Sequence, residues 1–257
     1  MTALVAVWSG ILGLLVGSFL NVVIWRVPRG ESIVRPPSHC PGCGTPIRPI
    51  DNIPVLSWLM LGRKCRTCRT PISARYPLVE ALTGVLFALV GLRFGADWAV
   101  PPYLVFVAFL VALSFIDLDT KTLPRKLIYL NAVIAVPLLV FAALVRDEPD
   151  KLWRAAVGAA IAFSFFFLLH LIAPGSMGFG DVRLSGLLGL YLGWLSILHV
   201  PLGLFLGFLF GAIVGIALMA GGKAGRKTAV PFGPFMAAGA LVAILVGEPL
   251  IELWLPN

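Results

Sequence analysis

The chain alternates long apolar runs with short polar breaks. The runs fall near residues 4–25, 77–94, 101–117, 127–145, 153–173, 184–199, 201–220 and 231–255. Such runs suit helices crossing ~30 Å of hydrocarbon. The sixth and seventh share one apolar stretch of 37 residues, 186–222, too long for a single span. His199-Val200-Pro201 offers a turn inside it, because proline interrupts a helix. The pattern predicts an all-α polytopic membrane protein with about eight transmembrane helices, or seven if that pair is re-entrant.

Composition agrees. The chain is 59% hydrophobic and 12% charged, with a mean hydropathy of +0.97. Soluble domains carry about 25% charged residues, so this chain is expected to lie largely in a bilayer. Its net charge of +8 points less to nucleic acid than to Lys and Arg gathered in cytoplasmic loops. With the N-terminus outside, the inside segments are 26–76, 118–126, 174–183 and 221–230, and they hold 16 of the 20 Lys and Arg. The outer ends hold Arg93, Arg146, Lys151 and Arg154. This asymmetry predicts an N-out, C-out protein. The first run has no basic stretch before it, and Arg26-Val27-Pro28-Arg29 follows it in place of a small-residue cleavage site. A retained helix is expected there.

Residues 26–76 form the one sizeable polar segment, with nine Lys or Arg and all four cysteines. Cys40 and Cys43 make one Cys-x-x-Cys pair, and Cys65 and Cys68 make a second after 21 intervening residues. Two such pairs offer four thiolates to one tetrahedral zinc ion. A cytosolic location disfavours structural disulfides; reduced or redox-active thiols are the competing reading. A segment this short builds little core, so a metal staple is physically sensible. Four thiolates close the shell, which makes the site structural and leaves His39 a bystander. The basic residues can also hold the loop against anionic lipid.

Most of the twelve acids fall in loops or at predicted outer ends. Glu80, Asp117, Asp119 and Asp181 instead abut apolar helices on the predicted cytoplasmic side. Ionisable groups at such positions are costly and are functional candidates; for Asp119 an acid marking a helix end serves as well. Asp181 closes the stretch Ser-Met-Gly-Phe-Gly-Asp, 176–181. Gly178 and Gly180 permit close backbone approach. The residues after Asp181 look helical, which places its carboxylate where a helix dipole favours an anion. A plain N-cap is the alternative. Asp117 in the same layer shifts the balance. Two converging carboxylates share a proton, so one serves as base and the other as acid. That is the chemistry of aspartyl proteolysis. His170 and His199 lie on apolar helices without an evident Ser or Cys partner.

Seven blocks in order carry a family resemblance: GSFLNVVIWRVPRGE (17–31), HCPGCGTPI (39–47), IPVLSWLMLGRKCRTCRTPIS (53–73), RYPLVEALTG (75–84), FIDLDTKTLP (115–124), MGFGDVRL (177–184) and PFGPFMAAGA (231–240). Nearly the whole chain resembles the type IV prepilin peptidases, GxGD-type intramembrane aspartyl proteases of the bacterial cytoplasmic (inner) membrane that also act as N-methyltransferases. The resemblance implies Asp117 and Asp181 as the catalytic dyad, with Asp119, Gly178 and Gly180 in support. It implies a prepilin or pseudopilin substrate with a short basic leader ending in Gly. The cut falls after that Gly, and S-adenosylmethionine then methylates the new N-terminal residue, commonly Phe. It also divides the chain into a first transmembrane helix (1–25), a cysteine segment linked to methylation (26–76) and a peptidase core (77–257). Arg125 stands where the family often has an acid, and Arg183 where it often has Lys.

No glycine-rich pattern marks a pocket for S-adenosylmethionine. Glu80 is the one residue placed near methyl transfer, and a helix-start acid is its equal alternative. Peptidase activity alone, a transporter using the intramembrane acids, and a zinc-stapled assembly factor are the other functions considered. Oligomeric state and the pilin system served are open.

Overall fold

The computed structural model describes residues 1–175, 177–222 and 230–254. Ser176 of the Gly-rich stretch, and Lys223, Arg226 and Lys227 of the expected inside segment 221–230, lie outside the described residues. Among the described residues there are nine α-helices and no strands, only isolated bridges at His39–Pro46 and Lys64–Pro71. The helices fall into two compact units, Met1–Val100 with Phe106–Ala112, and Pro101–Val105 with Leu113–Asn257.

In the first unit, α1 (Thr2–Arg26) lies along α3 (Arg75–Phe94). Glycines let the two backbones close: a Cβ on Gly13 would stand 2.7 Å from the Thr83 carbonyl, and one on Gly17 would stand 2.7 Å from the Glu80 Cα. Small residues at helix contacts are how apolar helices gain packing where lipid removes the hydrophobic drive. Between these helices runs the cysteine segment, whose one α-helix is the short α2 (Leu56–Met60).

The second unit is built around α7 (Phe179–Leu195), most of whose residues are buried. Around it stand α5 (Arg125–Val145), α6 (Asp150–Ile172), α8 (His199–Ala220) and α9 (Gly233–Trp254). α4 (Val100–Thr120) contributes to both units. A chain of buried polar side chains is paired inside the second unit, as burial favours. Tyr103 Oη donates to the Tyr191 carbonyl at 2.6 Å, and Tyr191 Oη donates to Asn131 Oδ1 at 3.3 Å. α9 kinks at Val246 (φ −133°, ψ 17°), three residues before Pro249, whose ring removes a backbone donor and crowds the preceding turn.

Eight long helices match the expected runs, and seven of them are long and apolar enough to cross a membrane. The eighth, α7, has 17 residues; at 1.5 Å each it extends only about 26 Å. A helix walled in by protein need not match the bilayer. The break in the long apolar stretch also falls earlier than expected, at 196–198. Ser196 is extended (φ −167°, ψ 151°), and its Oγ accepts the Leu198 N–H at 3.2 Å. Pro201 instead sits in the first turn of α8, where its missing N–H has no helical partner to lose.

Candidate active site and cysteine cluster

α4 ends where Lys121 turns left-handed (φ 52°) while its N–H still donates to the Asp117 carbonyl at 2.8 Å. Asp117 is thus held in the last full turn of the helix, 5% exposed. Its Oδ2 accepts the backbone N–H of Gly233 at 3.0 Å. Gly233 is the first residue of α9, so Asp117 faces the positive end of a helix, which favours its anion. The approach needs a glycine: a Cβ there would lie 2.8 Å from that same oxygen and 3.2 Å from Leu123 Cδ2.

Asp181 meets a second helix start in the same manner. Gly178 is the N-cap of α7, and Asp181, three residues on, accepts the Gly178 N–H with Oδ2 at 3.2 Å. This is the acidic half of a capping box; glycine has no side chain for the other half. Asp181 is therefore not the N-cap residue itself, although its carboxylate does cap the helix. It is 8% exposed. Phe179, between the two glycines, is anchored by the His170 ring at 5.6 Å and by the Arg183 guanidinium at 4.5 Å. His170 Nδ1 lies 3.3 Å from the Met177 carbonyl. Gly180 leaves room for Leu123, whose Cβ would be 2.9 Å from an added one.

Asp117 and Asp181 line one cavity of about 760 Å³, together with Gly178, Gly180, Leu123, Lys121 and Phe232. Among the described residues, the cavity brings two buried acids and the Lys121 cation to the same space. Asp119 lies outside this lining and is exposed at the end of α4. Gly233, Leu123 and Lys121 were missed as site residues. The Phe-Gly-Pro at 232–234 was the available signal, since Gly followed by Pro suits a helix start.

Glu80 belongs to the other unit. It is 8% exposed, and its Oε2 accepts the Val55 N–H at 2.7 Å. Val55 has φ 61° and ψ −49°, a strained conformation for a β-branched residue. Glu80 is thus no simple helix-start acid.

The four cysteine sulfurs lie within 4.8 Å of one another, with Cys40 and Cys68 Sγ 3.7 Å apart. A tetrahedron with 2.3 Å metal–sulfur bonds has edges of about 3.8 Å, so the cluster can hold a metal ion. The two pairs are copies of one motif, Cys-x-x-Cys-x-Thr-Pro-Ile, at 40–47 and 65–72. Their backbones match: Cys40 N–H donates to the Thr45 carbonyl and Cys65 N–H to the Thr70 carbonyl, each at 2.9 Å. Thr45 Oγ1 lies 3.3 Å from Cys43 Sγ, and Thr70 Oγ1 lies 3.1 Å from Cys68 Sγ. The Thr70 hydroxyl draws the Cys68 thiol down to about 6, and Thr45 lowers Cys43 likewise. Both shifts favour the thiolate that a metal takes, whereas Cys40 is pushed up to about 11, its backbone hydrogen bonds to Gly42 and Cys43 outweighed by desolvation and by the Cys65 and Cys68 thiols. His39 is exposed, with its ring turned to the Pro37 carbonyl.

Residues 11–94 match the bacterial peptidase A24 N-terminal domain, and residues 104–216 match the type IV leader peptidase family. A prepilin leader peptidase/N-methyltransferase of Myxococcus xanthus is 43% identical over 231 residues, covering 88% of this chain and 67% of its own length. One of Pseudomonas aeruginosa is 36% identical over 272 residues, covering 95% and 91%. One of Bacillus subtilis is 33% identical over 245 residues, covering 95% and 96%. No solved structure gives a significant match. With the two domains adjoining in one chain and relatives aligning over most of its length, the chain belongs to the type IV leader peptidase family.

Proposed function

We propose that this chain removes the short basic leader of type IV prepilins or pseudopilins, cutting after a glycine at the cytoplasmic face. It then methylates the new N-terminal residue, commonly Phe, with S-adenosylmethionine. The observation that carries the peptidase is the pair Asp117 and Asp181, two buried acids on one cavity. Two carboxylates so placed share one proton. The ionised one takes a proton from water as the water oxygen bonds to the scissile carbonyl carbon. The protonated one gives its proton to the carbonyl oxygen. Collapse of that adduct breaks the C–N bond, and the amine leaves with a proton. The N–H groups of Gly178 and Gly233 orient the two carboxylates. Gly180 keeps the wall thin where a substrate strand would lie. Asp119, exposed beside them, takes the supporting role.

Residues 1–25 serve as the first transmembrane helix, 26–76 as the segment linked to methylation and 77–257 as the peptidase core. Cys40, Cys43, Cys65 and Cys68 hold a structural zinc ion, supported by their spacing and sulfur separations. When bound, S-adenosylmethionine supplies an electrophilic methyl group, and the pilin amine must be neutral to accept it. The protein is read as multi-pass in the bacterial cytoplasmic membrane with its N-terminus outside, on the strength of the Lys and Arg asymmetry.

Mass spectrometry of a pilin N-terminus co-expressed with this chain tests both activities. The wild type should give a shortened, singly methylated pilin, whereas Asp117→Asn and Asp181→Asn should each leave the leader attached. Cleavage retained in both variants would sink the dyad. An uncut pilin with the wild type would return the transporter reading.

A further inference from the structure

The first unit has a cavity of its own, about 300 Å³, between the C-terminal half of α1 and the loops of the cysteine segment. Pockets for small organic ligands begin at about this size. Arg26 lines it and is 8% exposed. Its two terminal nitrogens donate to the carbonyls of Ser32 and Pro36, at 2.9 Å and 2.8 Å. These bonds aim the guanidinium but do not neutralise it. Among the described residues, no carboxylate pairs with Arg26. A guanidinium stays charged, and burying a charge without a counterion is costly. The cavity therefore suits an anionic group that none of the described residues supplies.

The remaining walls narrow the choice. Phe19 and Val22 of α1 form one side, apolar and partly aromatic, while Ser38 and Asn52 bring polar groups to the lining. Pro54 adds to the rim, directly before the strained Val55 whose N–H is held by Glu80. Strain persists only where surroundings over-determine it, and it gathers at binding sites. The cavity thus pairs one buried cation with a partly aromatic apolar wall, hydrogen-bonding side chains and a rim held by Glu80.

We propose that this cavity binds S-adenosylmethionine, with Arg26 pairing to its carboxylate and Phe19, Ser38 and Asn52 taking the nucleoside. The inference rests on the methyltransferase reading above and adds the site. It also gives Glu80 a part: a positioning residue that holds the rim through the Val55 N–H.

The test is direct binding by the full chain in nanodiscs of neutral phospholipid. Tritiated S-adenosylmethionine is titrated against wild type, Arg26→Gln and Ser38→Phe, the last adding a bulky ring to the lining while keeping Arg26. Melting points and gel filtration of each protein report folding. At least a tenfold loss of affinity in both variants, in folded protein, supports the site. Affinity equal to wild type in Ser38→Phe overturns it, as does an azido-substituted donor that cross-links outside the cavity lining while the protein still methylates pilin. Unchanged donor binding with loss of a co-purified phospholipid in Arg26→Gln also overturns it, because the anion held is then a lipid phosphate. A wild type that cuts pilin but neither binds the donor nor methylates removes the methyltransferase reading itself.

Discussion

Gly233→Ala tests how tightly the site depends on backbone approach. The added Cβ would lie 2.8 Å from Asp117 Oδ2 and 3.2 Å from Leu123 Cδ2. The carboxylate must then retreat from the Gly233 N–H that it accepts at 3.0 Å. A hydrogen bond to a charged group contributes about 1.5–3 kcal/mol. At 1.36 kcal/mol per decade, losing it from the reacting geometry lowers the rate roughly 10- to 150-fold. The fall should appear in kcat with KM little changed, because the substrate strand is not displaced. Initial rates of prepilin cleavage in proteoliposomes measure it. Gly215→Ala in α8 is the control, since a Cβ there meets nothing within 4 Å and alanine only improves helix propensity. Cleavage by Gly233→Ala within about threefold of wild type would refute the claim that this N–H holds Asp117 in its working position.

Gly180→Ala should lose cleavage by a comparable factor, because its Cβ would meet Leu123 Cβ at 2.9 Å; adding Leu123→Gly, which removes that Cβ, should recover much of it, and no recovery would mean the clash is not the cause. Cys68→Ser should lower bound zinc per chain, measured by plasma mass spectrometry, and zinc content equal to wild type would exclude the four-sulfur site. Glu80→Ala leaves the Val55 N–H without its acceptor and should cost about 1–3 kcal/mol, read as a lower melting point. Glu80→Gln keeps a carbonyl acceptor and should cost less, so equal losses would show that the bond to Val55 is not what Glu80 contributes.

Much of the fold follows from one-dimensional pattern. The eight long helices were visible as apolar runs because a segment crossing lipid must satisfy its backbone internally and cover itself with apolar side chains. The turn near 196–198 was misplaced by a few residues. Proline is the stronger formal breaker, yet a helix tolerates it in the first turn, and Ser196 could end one helix and start the next. The shortness of α7 was hidden for a related reason. Hydropathy registers that a helix is apolar, but not whether protein or lipid surrounds it. The Cys-x-x-Cys-x-Thr-Pro-Ile repeat was fully present in sequence. Its meaning appears only in the fold, where each threonine hydroxyl stands beside a cysteine sulfur.

Sequence by itself determined that the chain is a helical membrane protein, that its thiols come in two pairs, and which acids stand beside apolar helices. Those properties depend on composition and on neighbours within a turn. Tertiary structure alone decided that Asp117 and Asp181 share a cavity, that each faces a glycine N–H at a helix start, and that Asp119, two residues from Asp117, stands outside it. The Gly233 contact links residues 116 positions apart, a separation no local pattern encodes. It likewise decided that Glu80 holds a strained turn and that Arg26 is buried with no carboxylate paired to it among the described residues. Burial and long-range pairing arise only when the helices pack, and they turn an ordinary helix-end charge into a group with chemistry to perform.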